Sequence, residues 1–291
     1  MTPDSHLGRE ILGRFLLTRV LARGGMATIY VADDSTEGGQ VAIKVLGRAF
    51  SERRDIVSRF RREARAMASL TSPHVARVQM YGQLEEGSLY IVMELVLGPD
   101  LARLVREEGP LEPDRAIRIV VQACDALGEA HRRGILHRDL KPENLLVARR
   151  DGGDHVKLID FGLARVSDRE KKRDSEPRLT QEGSIFGTPQ FMSPEQAAGV
   201  EVCAQSDLYS LGLVLYEALT RRSPYDAQVP MEYVLAHVDS APIPLLGRCP
   251  ALTFPRGLQE VLDRVLAKNP VDRHATAAAF ADELRRVVDG R

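Results

Sequence analysis

Cysteine is scarce in this 291-residue chain, and no two cysteines form a Cys-x-x-Cys pair. Cys124, Cys203 and Cys249 stand far apart in the sequence. Such spacing argues against a disulfide framework and against a cysteine zinc site. The cysteine usage therefore fits a reducing cytosol.

Long apolar runs are also missing. One of the longest, at residues 211–219, is much shorter than the roughly 20 residues that a membrane-spanning helix requires. The first ten residues are polar and do not form a signal peptide. We expect a cytoplasmic protein, or the cytoplasmic domain of a longer membrane-anchored protein.

The chain has no excess of charge of either sign, because 40 basic residues face 41 acidic ones. This balance argues against a nucleic-acid partner or a membrane-surface partner. Hydrophobic residues make up 44% of the chain, and its length suffices for one large domain or two small ones with a buried core.

Two short motifs carry the chemistry. Residues 137–144 read His-Arg-Asp-Leu-Lys-Pro-Glu-Asn, and residues 160–162 read Asp-Phe-Gly. Together they supply a proton acceptor, a cation for phosphate and two oxygen ligands for a metal, which are the groups that phosphoryl transfer needs. The plain alternative is a charged surface loop followed by an unrelated turn.

Both motifs resemble the catalytic loop and the metal motif of the eukaryotic-type protein kinases. The resemblance implies that Asp139 receives the proton of the acceptor hydroxyl and that Lys141 contacts the γ-phosphate. It assigns Asn144 and Asp160 to Mg²⁺, with Mn²⁺ as an alternative. The Lys-Pro-Glu-Asn run resembles the serine/threonine branch of the family.

The N-terminal region predicts a hairpin, with strands at residues 15–21 and 29–32. Its tip resembles the kinase glycine-rich loop, with alanine in place of the first and third glycines. Glycine allows backbone amides to approach phosphates, and Gly24 and Gly25 keep the middle of the loop. The residues expected to cover the nucleotide are Leu21, Ala22, Gly24, Gly25, Met26, Ala27 and Ile29. A simple Gly-Gly turn is the alternative.

Residues 41–44 read Val-Ala-Ile-Lys, which resembles the kinase strand whose lysine contacts the α- and β-phosphates. A helix is predicted at residues 53–70, because Ile56, Phe60, Ala64 and Met67 recur on one face. The resemblance implies that Glu63 of this helix pairs with Lys44.

Two further strands are predicted at residues 75–80 and 89–93, followed by a hinge at residues 94–99. By resemblance, the hinge backbone reads the edge of adenine and apolar side chains hold its ring. The residues expected to contact adenine are Ile29, Ala42, Met93, Glu94, Val96 and Leu146. Several of these side chains would suit an ordinary core equally well.

The remainder of the chain is expected to be helical, with helices at residues 100–108 and 112–133. Residues 206–212 resemble the buried central helix of the large kinase lobe. There Asp207 would accept hydrogen bonds from the catalytic-loop backbone, and Arg273 would pair with Glu195 as buried scaffold.

A charged segment at residues 167–184 separates Asp-Phe-Gly from Ser193-Pro194-Glu195. Such a segment is usually a solvated loop, and in a kinase it is also where activity is set. We expect phosphate on Thr180, with Ser184 as second choice, to bind Arg138 and align Thr188 with the site.

The sequence therefore predicts an α+β, two-lobed protein kinase fold of the bacterial eukaryotic-like group. The small lobe is a β-sheet at residues 12–93, the hinge spans 94–99 and the helical lobe spans 100–288, with tails at 1–11 and 289–291. The expected function is transfer of phosphate from ATP to serine and threonine hydroxyls of proteins, with room for self-association in trans-autophosphorylation. Two alternatives stay open, a pseudokinase scaffold and a small-molecule phosphotransferase.

Overall fold

The computed structural model describes residues 6–161 and 188–290. They form two compact units, and the division between them falls between Leu97 and Gly98. This point lies inside the segment predicted as a hinge. The first unit is built on a β-sheet, and the second is mainly helical.

The first unit contains an antiparallel sheet of six strands in the order β1-β2-β3-β4-β6-β5. The strands are β1 Glu10–Ile11, β2 Phe15–Arg23, β3 Ala27–Asp34, β4 Gln40–Leu46, β5 Val78–Gln83 and β6 Leu89–Glu94. Between β4 and β5 lie two helices, α1 Arg48–Ser51 and α2 Arg54–Ser69. One face of the sheet buries a cluster that includes Phe15, Leu17, Tyr30 and Ile43.

Helix α2 packs against β5 and β6 because its apolar stripe faces them. Ile56, Phe60, Ala64 and Met67 are all buried, as their spacing predicted. Glu63 lies beside this stripe and is buried with it. The packing of α2 therefore brings one carboxylate to the sheet.

Most predicted elements of this unit have observed ends within two residues of the prediction. The strand predicted at 75–80 is the exception, since it begins at Val78. The Val75 amide instead donates to the Ser72 carbonyl, in a turn around Pro73. The sheet also starts at Glu10, before the expected domain boundary at residue 12.

The second unit contains eight helices and one hairpin among its described residues. The helices are α3 Leu101–Glu108, α4 Pro113–Arg132, α5 Pro194–Ala198, α6 Ala204–Thr220, α7 Pro230–Asp239, α8 Leu245–Arg248, α9 Leu258–Val265 and α10 Ala277–Val288. The hairpin consists of β7 Leu145–Arg150 and β8 Gly153–Leu158.

Helix α6 is the centre of this unit, because nearly all of its residues are buried. Helix α4 packs against α6, α10 and β8. Its apolar residues Ile117, Val120, Cys124 and Leu127 are buried. All three cysteines are free thiols. Within residues 6–161 and 188–290, no helix is both long enough and apolar enough to cross a membrane.

Candidate active site

An ion pair joins the sheet of the first unit to helix α2. The Lys44 ammonium donates a hydrogen bond of 2.8 Å to Glu63 Oε1. The side chains of Lys44 and Glu63 are only 15% and 10% exposed, so solvent screens their attraction less than it screens a surface pair. The predicted Lys44–Glu63 contact is therefore present.

The loop that joins β2 to β3 is closed by a hydrogen bond of 2.9 Å from the Gly24 amide to the Ala27 carbonyl. Neither Gly24 nor Gly25 has a positive φ, so the turn itself does not require glycine through its dihedral angles. A Cβ atom added at Gly25 would meet no protein atom within 4 Å. Packing within the first unit thus gives no reason for glycine at position 25.

The other predicted nucleotide contacts lie on both units. Ala42 on β4 is paired with Met93 on β6, and both side chains are buried. Ile29 on β3 faces Lys44 across the ladder and is half-buried. Leu146 belongs to β7 of the second unit, where it bridges to Asp100. The other residues of this set lie on the β2–β3 loop and flanking strand ends (Leu21, Ala22 and Met26) or at the end of β6 and just beyond it (Glu94 and Val96).

The catalytic loop, residues 137–144, is fastened to α6 through Asp207. The carboxylate of Asp207 accepts hydrogen bonds of 2.8 Å from the amides of His137 and Arg138, and it lies 2.8 Å from His131 Nε2. Burial opposes its ionisation, yet these partners together hold the pKa of Asp207 below its ordinary value. The structural role predicted for Asp207 is confirmed.

The backbone conformation of Arg138 and two side-chain contacts shape the loop around Asp139. Arg138, which precedes it, has a φ of 64°, a left-handed conformation that non-glycine residues rarely adopt. The side-chain amide of Asn144 donates to the Asp139 carbonyl at 2.7 Å. The ammonium of Lys141 lies 3.4 Å from Asp139 Oδ2. A carboxylate and a cation therefore stand side by side, both partly open to solvent.

The β7–β8 hairpin brings the two predicted metal ligands together. Leu145 is paired with Leu158, and the Ile159 amide donates to the Asn144 carbonyl at 3.1 Å. Asp160 follows with a φ of 54°, another left-handed residue. The hairpin therefore places Asn144 and Asp160 close along adjacent chain segments.

Phe161 secures this region from inside, because it is fully buried and its ring lies 4.6 Å from that of His137. His137 Nε2 lies 3.0 Å from the Ile159 carbonyl and donates to it in the neutral ring. Burial lowers the pKa of His137, which favours the neutral form.

Thr188 begins a short segment, residues 188–191, that we call the platform. Its 3₁₀ turn is Pro189–Phe191. Just beyond it, Ser193 and Gln196 cap helix α5 reciprocally. The Gln196 side chain also donates to the Arg138 carbonyl at 2.7 Å, so α5 and the catalytic loop are tied together.

A buried ion pair supports the same helix. Arg273 Nη2 lies 2.6 Å from Glu195 Oε1, and the side chains are 0% and 7% exposed. Ser206 of α6 donates to the second oxygen of Glu195 at 3.2 Å. The predicted pairing of Arg273 with Glu195 is confirmed.

Sequence reasoning located the loop at residues 137–144 but missed the contact that Gln196 makes with it. The signal for Gln196 is a capping box, serine followed three residues later by glutamine before a helix. Thr180 and Ser184, the expected phosphorylation sites, lie outside the described residues, as does Gly162.

Mg²⁺ fits the oxygen donors that the hairpin presents. Among residues 6–161 and 188–290 no cluster of three or more His, Cys, Asp or Glu side chains forms a metal cage. Mg²⁺ commonly takes only one or two ligands from the protein and the rest from water and substrate phosphates. Because the side-chain nitrogen of Asn144 donates to the Asp139 carbonyl, its side-chain oxygen remains as an acceptor, and the backbone contact between Ile159 and Asn144 brings Asp160 into the same region.

Comparisons with known proteins point to one family. The profile described as "Protein kinase domain" matches residues 15–284. The chain is 38% identical to serine/threonine-protein kinase pkn3 of Myxococcus xanthus, with 98% of this chain and 52% of the relative covered. It is 41% identical to serine/threonine-protein kinase PknB of Mycobacterium tuberculosis, with 100% and 45% covered. The chain thus spans about half the length of these relatives.

Solved structures agree with this comparison. The crystal structure of the Mycobacterium tuberculosis PknI kinase domain matches 96% of this chain and 98% of its own, with a TM-score of 0.71 and 28% identity. The predicted two-lobed fold class is therefore confirmed.

Proposed function

Because this chain belongs to the protein kinase family and its relatives are named serine/threonine-protein kinases, we propose that it transfers the γ-phosphoryl group of ATP to serine and threonine hydroxyls of proteins. The observation that carries this proposal is the arrangement around the catalytic loop. Asp139 lies beside Lys141, and the β7–β8 hairpin sets Asn144 next to the segment that carries Asp160.

Asp139 is the proton acceptor in this proposal. Its carboxylate is partly exposed and therefore accessible to a substrate hydroxyl. Lys141 places a positive charge beside it, where negative charge builds up on the transferred phosphoryl group. The Asn144 side chain holds the Asp139 backbone, which limits movement of the carboxylate.

Asn144 and Asp160 would hold the metal, for which Mg²⁺ is our first choice and Mn²⁺ the alternative. Bound Mg²⁺ would neutralise charge across the phosphates of ATP. Asp160 has a left-handed φ of 54°, and such strained backbone at a non-glycine residue is frequent at functional sites, which supports a ligand role.

Lys44 is proposed to contact the α- and β-phosphates while Glu63 holds its ammonium in place. Gly25 is proposed to admit phosphates close to the backbone, which accounts for a glycine that the fold itself does not require. The adenine ring is proposed to contact Ile29, Ala42 and Met93 of the first unit and Leu146 of the second.

Regulation is proposed to act through phosphate on Thr180, or on Ser184 as second choice. The support in the described part of the chain is Arg138, which directly precedes Asp139. A guanidinium group can bind a phosphate through two parallel hydrogen bonds. After phosphatase treatment, Thr180→Ala, Ser184→Ala and Arg138→Ala should be compared with the parent protein. Full activity in all three, without phosphate between residues 167 and 188, would refute this switch.

We place the domain in the cytoplasm, either alone or as part of a longer membrane-anchored protein. Free thiols at all three cysteines support this location, and so would the proposed use of ATP. The expected partners are ATP and proteins with serine or threonine acceptors. Self-association during trans-autophosphorylation is part of the same proposal.

The experiment is an incubation of the purified protein with labelled ATP and Mg²⁺, using casein and myelin basic protein as general acceptors. We expect labelled phosphoserine or phosphothreonine in the acceptors and in the chain itself. Asp139→Asn is the matched control, because it keeps the size of the side chain and removes the base. Nucleotide binding without transfer by the parent protein would instead establish a pseudokinase, and phosphotyrosine as the main product would contradict the serine/threonine assignment.

A further inference from the structure

A histidine inside the second unit holds the backbone of the platform. His237, on helix α7, is fully buried, and its Nε2 lies 2.9 Å from the Pro189 carbonyl. Pro189 directly follows Thr188, the residue expected to align with the catalytic site. The next fixed point is the Phe191 carbonyl, which accepts from the Ser210 hydroxyl at 2.8 Å. The platform is thus fastened from beneath at two carbonyl groups.

His237 is the last member of a chain of hydrogen bonds that begins at Lys268. The Lys268 ammonium lies 2.9 Å from the Tyr225 hydroxyl, which lies 2.7 Å from the Tyr209 hydroxyl. Tyr209 lies 3.1 Å from His237 Nδ1. Lys268 also donates to the carbonyls of Ala236 and His237, so all three of its protons are used.

The groups at the two ends of this series of hydrogen bonds determine which atom is the donor in each bond. An ammonium can only donate and a carbonyl can only accept. Lys268 therefore donates to Tyr225, Tyr225 to Tyr209, and Tyr209 to His237 Nδ1. His237 is left with its proton on Nε2, which points at the Pro189 carbonyl. The network admits one tautomer of the neutral ring.

The surroundings of His237 favour that neutral ring. Burial, assisted by the positive charge of Lys268, lowers the pKa of His237 to about 4, although its hydrogen bond to the Pro189 backbone acts in the opposite direction. The rings of Tyr209 and Tyr225 lie edge-on to His237, with centroids at 5.8 and 5.0 Å. The imidazole is therefore held in place by packing as well as by hydrogen bonds.

We propose that His237 is a positioning residue for the protein acceptor, because its Nε2–H fixes Pro189 and through it Thr188. The inference rests on the proposed kinase function and adds a determinant of acceptor binding outside the catalytic loop. Tyr209, Tyr225 and Lys268 serve it by fixing the tautomer. ATP has no contact with this network in the proposal, so its effect should appear in the use of the protein acceptor.

The test compares two substitutions at one position. His237→Gln keeps an N–H donor at a similar reach, whereas His237→Met fills the space without a donor. Steady-state kinetics with myelin basic protein should show a KM for the acceptor that is roughly tenfold higher in His237→Met, the value of one lost hydrogen bond. The KM for ATP should stay unchanged, and His237→Gln should restore most of the acceptor KM.

A matched control separates positioning from stability. His274 is another fully buried histidine of the same unit, and its Nε2 contacts Glu283 on α10. If His274→Met raises the acceptor KM as much as His237→Met does, or if His237→Met shifts both KM values together, the positioning role is refuted. Tyr209→Phe removes a single oxygen and carries the same test if His237→Met does not fold.

The outcome also separates this inference from the proposed function. A parent protein that transfers no phosphate would overturn the function before any variant is compared. ¹⁵N NMR of the His237 ring in the parent protein then tests the network without activity. A neutral ring protonated on Nδ1 would overturn the hydrogen-bond direction and with it the inference.

Discussion

The buried pair of Arg273 and Glu195 offers a direct test of how the second unit is held together. Arg273 makes four hydrogen bonds, of 2.7 Å to the Ala267 carbonyl, 3.0 Å to the Gln205 carbonyl, 2.8 Å to the Lys268 carbonyl and 2.6 Å to Glu195. Arg273→Met keeps much of the apolar stem but strands three carbonyls and one carboxylate. Removing one partner of a buried pair costs about 3–5 kcal/mol, and we expect that loss in the free energy of unfolding.

The comparison variant is Arg264→Met. Arg264 lies 3.2 Å from Glu283, but its side chain is 52% exposed, so its loss should cost less than about 1 kcal/mol. The double variant Arg273→Met with Glu195→Gln should be more stable than the sum of the single changes predicts, by about 1–3 kcal/mol, because no stranded charge is left.

Urea unfolding followed by circular dichroism suits this measurement, since the chain has no tryptophan for fluorescence. The reasoning would be refuted if Arg273→Met were no more destabilising than Arg264→Met. Strict additivity in the double variant would show that the two charges do not depend on each other.

Three other predictions concern catalysis and pH. Asp139→Asn should lower transfer by about 10²–10⁴-fold with nearly unchanged ATP affinity, and undiminished turnover would refute its role as base. Asp160→Asn should regain part of its activity at high Mg²⁺ while Lys44→Met should not, and equal responses in a Mg²⁺ titration would contradict the division of roles. Burial, and then the charge of Glu143, raise the pKa of Glu217 from 4.5 to about 7. The stability that the protonated carboxyl contributes is therefore fully present below pH 4.5 and is lost as the pH rises through about 7. Glu217→Gln should remove this dependence and add up to about 3 kcal/mol at alkaline pH, which urea unfolding at several pH values would check.

The sequence was informative where a function depends on neighbouring residues. The catalytic loop reads as one motif, and the observed contact of Lys44 with Glu63 was implied by the resemblance of the strand motif and of α2 to those of the kinase family. The predicted start of strand β5 was too early. Val75 is a residue type that favours strands, but its amide donates to the Ser72 carbonyl in a turn. The local sequence does not determine which carbonyl accepts the hydrogen bond of a given backbone amide.

The network around His237 could not be predicted from one sequence. Tyr209, Tyr225, His237 and Lys268 lie on different elements, and none stands in a motif with the others. Their contacts arise because α6 and α7 pack with the segment after α9, which is a property of the whole unit.

Helix α6 is expected to unfold only when the whole second unit unfolds. Nearly every residue of α6 is buried, so it has no face that could be stable in water alone. It also holds the catalytic loop through Asp207 and the platform through Ser210. Unfolding of α6 would break both of these contacts, so amide exchange in α6 should occur only through global opening of this unit. A destabilising substitution in the core around α6 should therefore lower two quantities together, the fraction of molecules with an assembled active site and the resistance of the protein to degradation.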